Sequence, residues 1–240
     1  MREKQIKKIS KRGFIVRVVM VILKTFKKRP VIFNLNETLE DKAIFIANHN
    51  GASGPIEISL YLPILFVPWG AHPMTESYKY RWNYLYHIFY RQKLKFGILP
   101  SFLLSTVFGL VSKLLYDGMN LIPTYPDIRV RKTLRMSLEH IERENPVLIF
   151  PEDSIAGYQA VPHAYNSGFV ALAQAYFKKN GTDLPVYPIL FNPKKRALLI
   201  EKPIYINEYV KKGFERAEIA EAVRYETNEM VSHLEELLSK

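Results

Sequence analysis

The chain has 240 residues, 48% apolar and 24% charged, which suits one good-sized folded domain and excludes a disordered chain. It has no cysteine, which excludes disulfides, thiolate zinc sites and a cysteine nucleophile, and fits a reducing compartment. The net charge of +11 is concentrated: residues 1–30 hold eleven Lys and Arg against Glu3 alone, or +10, which leaves +1 for the rest.

A basic arm over 1–30 is therefore expected, followed by a single near-neutral domain over 31–240. The arm's apolar stretch, 14–26, is broken by Arg17 and Lys24 and has no small-residue cleavage site after it. It reads neither as a signal peptide nor as a membrane span. As a helix it places Phe14, Val18, Val21 and Ile22 on one face with basic residues around them. That is the pattern of a helix lying in the interface of an anionic membrane. A basic helix docked on the domain and a nucleic-acid arm are the other two readings. The neutral body counts against nucleic acid, which is not an expected partner.

Further along, short apolar runs alternate with helical patterns. Strands are expected at 43–47, 64–69, 147–150, 186–191 and 197–206. Between them, 78–93 mixes aromatic and basic residues, as a headgroup-interface segment or a packed amphipathic helix does. Residues 96–112 are 17 uncharged residues, interrupted by Pro100 and Gly109. They read as a buried or membrane-facing helix rather than a span. A helix is expected to begin at Pro126-Asp127, with Asp127 as N-cap, and to run to Glu144 with Leu134, Leu138 and Ile141 on one side. Others cover about 164–179 and 215–239. This alternation predicts an α/β fold, a mostly parallel central sheet flanked by helices, with the chemistry at the carboxyl ends of the strands.

Three loops leave expected strands with polar residues: 48–57, 70–77 and 151–157. The first, NHNGASGPIE, carries Asn48-His49 directly after a buried strand. A neutral imidazole there suits a general base. The third follows IFPEDSIAGY, 149–158, and a strand in LPVYPILF, 184–191, comes later. The order and spacing of these pieces resemble the glycerolipid acyltransferase family of the lysophosphatidic acid type. Asn48-His49 matches the start of its NHxxxxD block, GMNLIP (118–123) stands in place of its second block, and Phe150-Pro151-Glu152 matches the start of FPEGTRS. Residues 166–189 resemble the following helix and proline-valine-proline strand. The likeness covers roughly 40–206 and rests on the set, since no single motif is complete.

The resemblance implies an acyltransferase-like fold and transfer of a fatty acyl group from a coenzyme A or acyl-carrier-protein thioester to a hydroxyl of a lipid or phosphate-containing acceptor. His49 is then the base, no cofactor is bound, and the protein is peripheral on the cytoplasmic face of the membrane. Asn48, Ser53, Glu152, Asp153 and Ser154 are the residues it implies at the acceptor. The departures are as specific. Gly54 stands at the Asp position, Thr124 near the second block's arginine and Ile155 at the FPEGTR arginine. Arg129 or Arg131 is the candidate cation in their stead. Glu57, one helical turn beyond Gly54, is the candidate to orient His49, with Glu152 and Asp153 as alternatives. The competing reading is a non-catalytic lipid- or acyl-binding protein of the same fold. His72, His87, His140 and His163 are scattered and form no recognisable metal-ligand spacing, so no metal is expected.

Overall fold

Four apolar residues in succession, Ile44 to Ala47, leave no polar face for water, so this strand has to lie inside a sheet covered on both sides. The computed structural model describes residues 6–51, 53–154, 157–158 and 161–239, and in it β2 (Ile44–Ala47) is buried along its whole length. The other strands are β1 (Val31–Asn34), β3 (Val67–Ala71), β4 (Ile122–Thr124), β5 (Val147–Ile149), β6 (Pro185–Asn192), β7 (Ala197–Ile200) and β8 (Ile204–Tyr205). They form one eight-stranded sheet in the order β1-β7-β6-β2-β5-β3-β4, with β8 also on β6. Every pairing is parallel except those of β6 with β7 and with β8. The protein is thus α/β with a mostly parallel sheet flanked by helices.

Side-chain alternation along β2 divides the core. Ile44 and Ile46 face a layer built on α5 (Val130–Glu142), α6 (Gly168–Asn180) and α8 (Arg216–Ser239), through Ile141, Phe169, Leu172 and Val223. Phe45 and Ala47 face the opposite side, with Phe66, Tyr187 and Ile58 of α2 (Ser53–Tyr61). A smaller cluster joins the π-helical segment Tyr84–Lys93, which continues α3 (Tyr78–Asn83), to α4 (Ile98–Gly118), through Leu85, Tyr90 and Phe108.

Several expected boundaries move, each for a local reason. The strand 197–206 is split because Pro203 cannot donate to the ladder, and the pairing with β6 slips by one residue across the gap. The strand 64–69 forms later, as β3, where Val67 first finds the Pro146 carbonyl at 2.8 Å. The helix expected from Asp127 begins at Val130. Asp127 Oδ1 accepts the Arg129 N–H at 2.9 Å, so residues 127–129 are a turn in front of the helix. Pro100 does not interrupt α4, since it lies in the first turn, where the N–H groups have no intrahelical partner. Gly109 does not break it either: a Cβ there would stand 3.2 Å from the Tyr78 ring, so the missing side chain admits that ring. β1 and β4 were not among the expected strands.

The arm is tied to this body along its described length. The Ile9 N–H donates to Asn145 Oδ1 at 2.6 Å, and Lys8 bridges Asp41 and Glu144 at 2.6 and 2.8 Å. Arg12 is buried, donates to the Phe66 carbonyl and stacks over the Phe66 ring. α1 (Phe14–Phe26) follows, leaving Phe14, Val21 and Phe26 exposed.

Candidate active site at the carboxyl end of the central strand

Register decides which loops meet. Ile46 of β2 lies opposite Ile149 of β5, so three residues further on the two parallel chains bring His49 beside Glu152. The His49 N–H donates to Glu152 Oε1 at 2.7 Å. On the other side Asn48 clamps β6: its amide donates to the Phe191 carbonyl at 2.9 Å, and its carbonyl accepts the Phe191 N–H at 2.8 Å. Both ends of the Asn48 side chain are thus engaged in holding the strand ends together rather than offered to an acceptor molecule.

Beyond His49 the chain reverses in two residues. Asn50 and Gly51 both have left-handed backbones, with φ of 44° and 66°, as such a turn requires. The turn aims the Gly51 carbonyl back at the imidazole, where it meets Nδ1. A carbonyl only accepts, so Nδ1 carries the proton and Nε2 holds the lone pair. Ser53 donates to the Asn50 carbonyl at 2.8 Å and fixes the turn from its far end.

Gly54 has a steric reason. A Cβ at this position would stand 2.3 Å from the His49 carbonyl oxygen and 2.8 Å from that of Asn48. The first turn of α2 approaches the strand end too closely for any side chain. Glu57 does not reach back to His49. It is buried and paired with Lys27 Nζ at 2.8 Å, so it holds the end of the arm. The group on Nδ1 is therefore a backbone carbonyl rather than Glu57, Glu152 or Asp153.

The ring lies in an aromatic slot. Tyr158 stacks on it with centroids 4.0 Å apart, and Phe150 meets it edge-on at 5.0 Å. Loss of solvation holds the His49 pKa down to about 4, and the nearby Lys93 charge adds to this against the Gly51 hydrogen bond. His49 is therefore neutral at physiological pH. Glu152 is pushed up to about 7 by burial, partly opposed by the His49 N–H.

Lys93 is the site residue that the sequence did not single out. It ends the π-helical segment, and its ammonium donates to Ser154 Oγ at 2.7 Å and lies 5.5 Å from the centre of the Tyr158 ring. Burial lowers its pKa, which the Asp153 charge opposes. Asp153 is exposed, and its N–H donates to the Ala164 carbonyl at 3.0 Å. Ser154 and Asp153 thus serve the lysine, and Glu152 serves the His49 backbone. π-Helical turns are rare and concentrate at functional sites, and this one delivers a cation to the imidazole.

Arg129 is elsewhere on the same edge. It pairs with Asp127 at 2.7 Å and lies over Tyr125, which stacks on His72. Tyr125 follows β4, three strand spacings from β2, or roughly 14 Å across the sheet. Thr124 donates to the Gly70 carbonyl at 3.0 Å. Ile155 lies outside the described residues. Among the described residues no three His, Asp or Glu side chains converge as a metal set. A surface groove of about 650 Å³ lies away from His49, between α4 and α5, lined by Asn120, Lys132 and Arg135 among others.

Comparison of the chain with protein-family models and with curated proteins gives no match.

Proposed function

We propose that this protein moves a fatty acyl group from a thioester of coenzyme A or acyl-carrier protein to a hydroxyl of a lipid or phosphate-containing acceptor, with His49 as general base. The observation that carries the reading is the imidazole itself. It stands at the carboxyl end of the central strand, neutral, with Nδ1–H committed to the Gly51 carbonyl and a lysine alongside. Nε2 takes the acceptor's hydroxyl proton as its oxygen attacks the thioester carbonyl. The tetrahedral oxyanion then collapses, the carbon–sulfur bond breaks, and the imidazolium returns its proton to the departing thiolate. Lys93 supplies the positive charge for the acceptor's anionic group in place of the two absent arginines. α1 brings the site to an anionic, cytoplasm-facing membrane surface, since it exposes apolar side chains and is followed by Lys28 and Arg29.

A second reading, a lipid- or acyl-binding protein without turnover, draws on the same carbonyl. A carbonyl holds a tautomer, but unlike a carboxylate it carries no full charge to stabilise an imidazolium. Thiol release separates the two. The chain has no cysteine, so a thiol reagent detects only the liberated donor thiol. Transfer predicts thiol release from acyl-coenzyme A or acyl-carrier protein that depends on a lyso-lipid acceptor. Saturable acyl-thioester binding without thiol release across a panel of acceptors would favour the binding reading.

A further inference from the structure

α4 is built inside out. At 100° per residue, Ser101, Ser105 and Ser112 share one side of this helix, with Gly109 beside them, and all four are buried. Roughly half a turn away lie Leu103, Val107, Leu110 and Leu114, which are 55%, 64%, 62% and 54% exposed. A helix packed on a water-soluble body does the reverse, because burial of leucine is favourable and burial of an unpaired hydroxyl is not. Here the three serine hydroxyls have no partner among the described residues. The apolar stripe needs a cover.

The structure points to what covers it. α1 is joined to the carboxyl end of α4: the Gly13 N–H donates to the Gly118 carbonyl at 2.9 Å, and a Cβ on Gly13 would stand 2.8 Å from the Gly118 Cα. The two helices therefore meet backbone to backbone, and both turn apolar side chains outward, with Phe14 72% and Val21 64% exposed on α1. Cations accompany them: Arg17 and Lys24 lie on α1, Lys28 and Arg29 follow it, Lys95 precedes α4, and Lys113 lies on α4, paired with Asp117 at 3.1 Å. An extended apolar face with a mainly basic surround is complementary to an anionic bilayer. At about 1.5 Å per residue α4 is long enough to span one. Its serine side, however, packs along the body of the protein, against α3 and the π-helical segment, so the helix has to lie in the plane of the interface.

We propose that α4 is embedded lengthwise in the outer part of an anionic membrane leaflet, beside α1, with Leu103, Val107, Leu110 and Leu114 in the hydrocarbon. This goes beyond attachment by the basic arm and is independent of the acyl-transfer reading. Because α4 packs on the segment that ends at Lys93, it also sets that side of the His49 site against the lipid.

The absence of cysteine makes the test direct. Single cysteines at Leu103, Val107, Leu110 and, on α1, Val21 carry a spin label in the full chain, with Tyr225 on α8 as the aqueous control. Vesicles of phosphatidylglycerol and phosphatidylethanolamine are then added. The expected result is that all three α4 labels lose collisions with a water-soluble nickel chelate and gain collisions with oxygen, at similar depths, while the Tyr225 label does not change. Val107→Asp and Leu110→Asp are expected to weaken partitioning onto these vesicles at least tenfold with unchanged circular dichroism and melting temperature. The proposal is overturned if the Val107 label stays aqueous while the Val21 label is immersed. It is equally overturned if the α4 labels show a steep depth gradient, which means spanning, or dipolar broadening in lipid-free solution, which means that a second copy covers the stripe. Wild-type partitioning by both aspartate variants overturns it as well.

Discussion

Gly54 offers the sharpest perturbation, because restoring the aspartate of the resembled His block there is the change that motif matching recommends. The structure predicts that it damages the protein. A Cβ at 54 would stand 2.3 Å from the His49 oxygen, whereas such contacts are essentially never seen under 3.0 Å, so the two backbones have to separate by at least 3.0 − 2.3 = 0.7 Å. Both sides are fixed, one by the Asn48 clamp on β6 and the other by the first turn of α2. Overpacking of this kind costs roughly 1–3 kcal/mol, and with backbone on both sides we expect about 3 kcal/mol for Gly54→Ala. For a chain of this size that lowers the melting temperature by roughly 6–12 °C. Gly54→Asp adds a carboxylate facing two carbonyl oxygens. Displacing the 50–51 turn also withdraws the Gly51 carbonyl from Nδ1, and a misplacement approaching 1 Å lowers turnover on the order of 100-fold. Urea denaturation with circular dichroism measures the first effect and acyl-transfer kinetics the second. If Gly54→Ala lies within about 0.5 kcal/mol of the parent, or Gly54→Asp is faster than the parent, the steric account of the missing aspartate is wrong.

Other expectations follow from the same contacts. Lys93→Met should raise KM for an anionic acceptor at least tenfold with a smaller change in kcat, and Lys93→Arg should recover most of it; equal loss on neutral and anionic acceptors would remove Lys93 from the acceptor site. Lys27→Met strands the buried Glu57 and should cost about 3 kcal/mol of stability while leaving turnover per folded molecule unchanged; a lost turnover would mean that Glu57 does act on His49. Protonation adds a signed test. The Glu152 pKa is raised from 4.5 to about 7, so its contribution to stability is present below pH 4.5 and is lost as pH rises towards 7. Glu152→Gln, which still accepts the His49 N–H, should therefore gain about 3 kcal/mol relative to the parent between pH 4.5 and 8, and a flat difference would contradict the burial assignment. The opposite sign holds for His49, lowered from 6.5 to about 4: its contribution is present above pH 6.5 and lost as pH falls through 4. The acid limb of kcat/KM should accordingly lie near pH 4 rather than near 6.5.

The centre of the fold was readable because β2, β5 and β6 are apolar on both faces and leave no other place for themselves. The outer strands were not. β1 and β4 are four and three residues long and draw their order from partners far away in the chain, Ala197–Ile200 and Trp69–Ala71. In the site, His49 was legible from its position after a buried run. Its orienting group was not, since a backbone carbonyl leaves no side-chain signature, although the Asn50-Gly51 pair is a turn signal. Lys93 was hidden for a different reason. It lies 44 residues from His49 in sequence, at the end of a π-helical segment whose pitch no heptad or 3.6-residue pattern announces. Glu57 misleads a sequence reading because helical spacing places it near position 54, while only the folded arm reveals that Lys27 claims it. For α4 the apolar run was visible, but which side it buries is a property of the packing.

The central claim is that His49 removes the acceptor's proton. The direct measurement is the rate of labelled acyl transfer from acyl-coenzyme A, or from acyl-carrier protein, to lyso-lipid acceptors in anionic vesicles, with wild type beside His49→Ala at matched folded concentration. Loss of a general base lowers such rates by roughly 10²–10⁴-fold. The account predicts transfer by the wild type and a drop of that size in His49→Ala, whereas equal rates for the two proteins would contradict it.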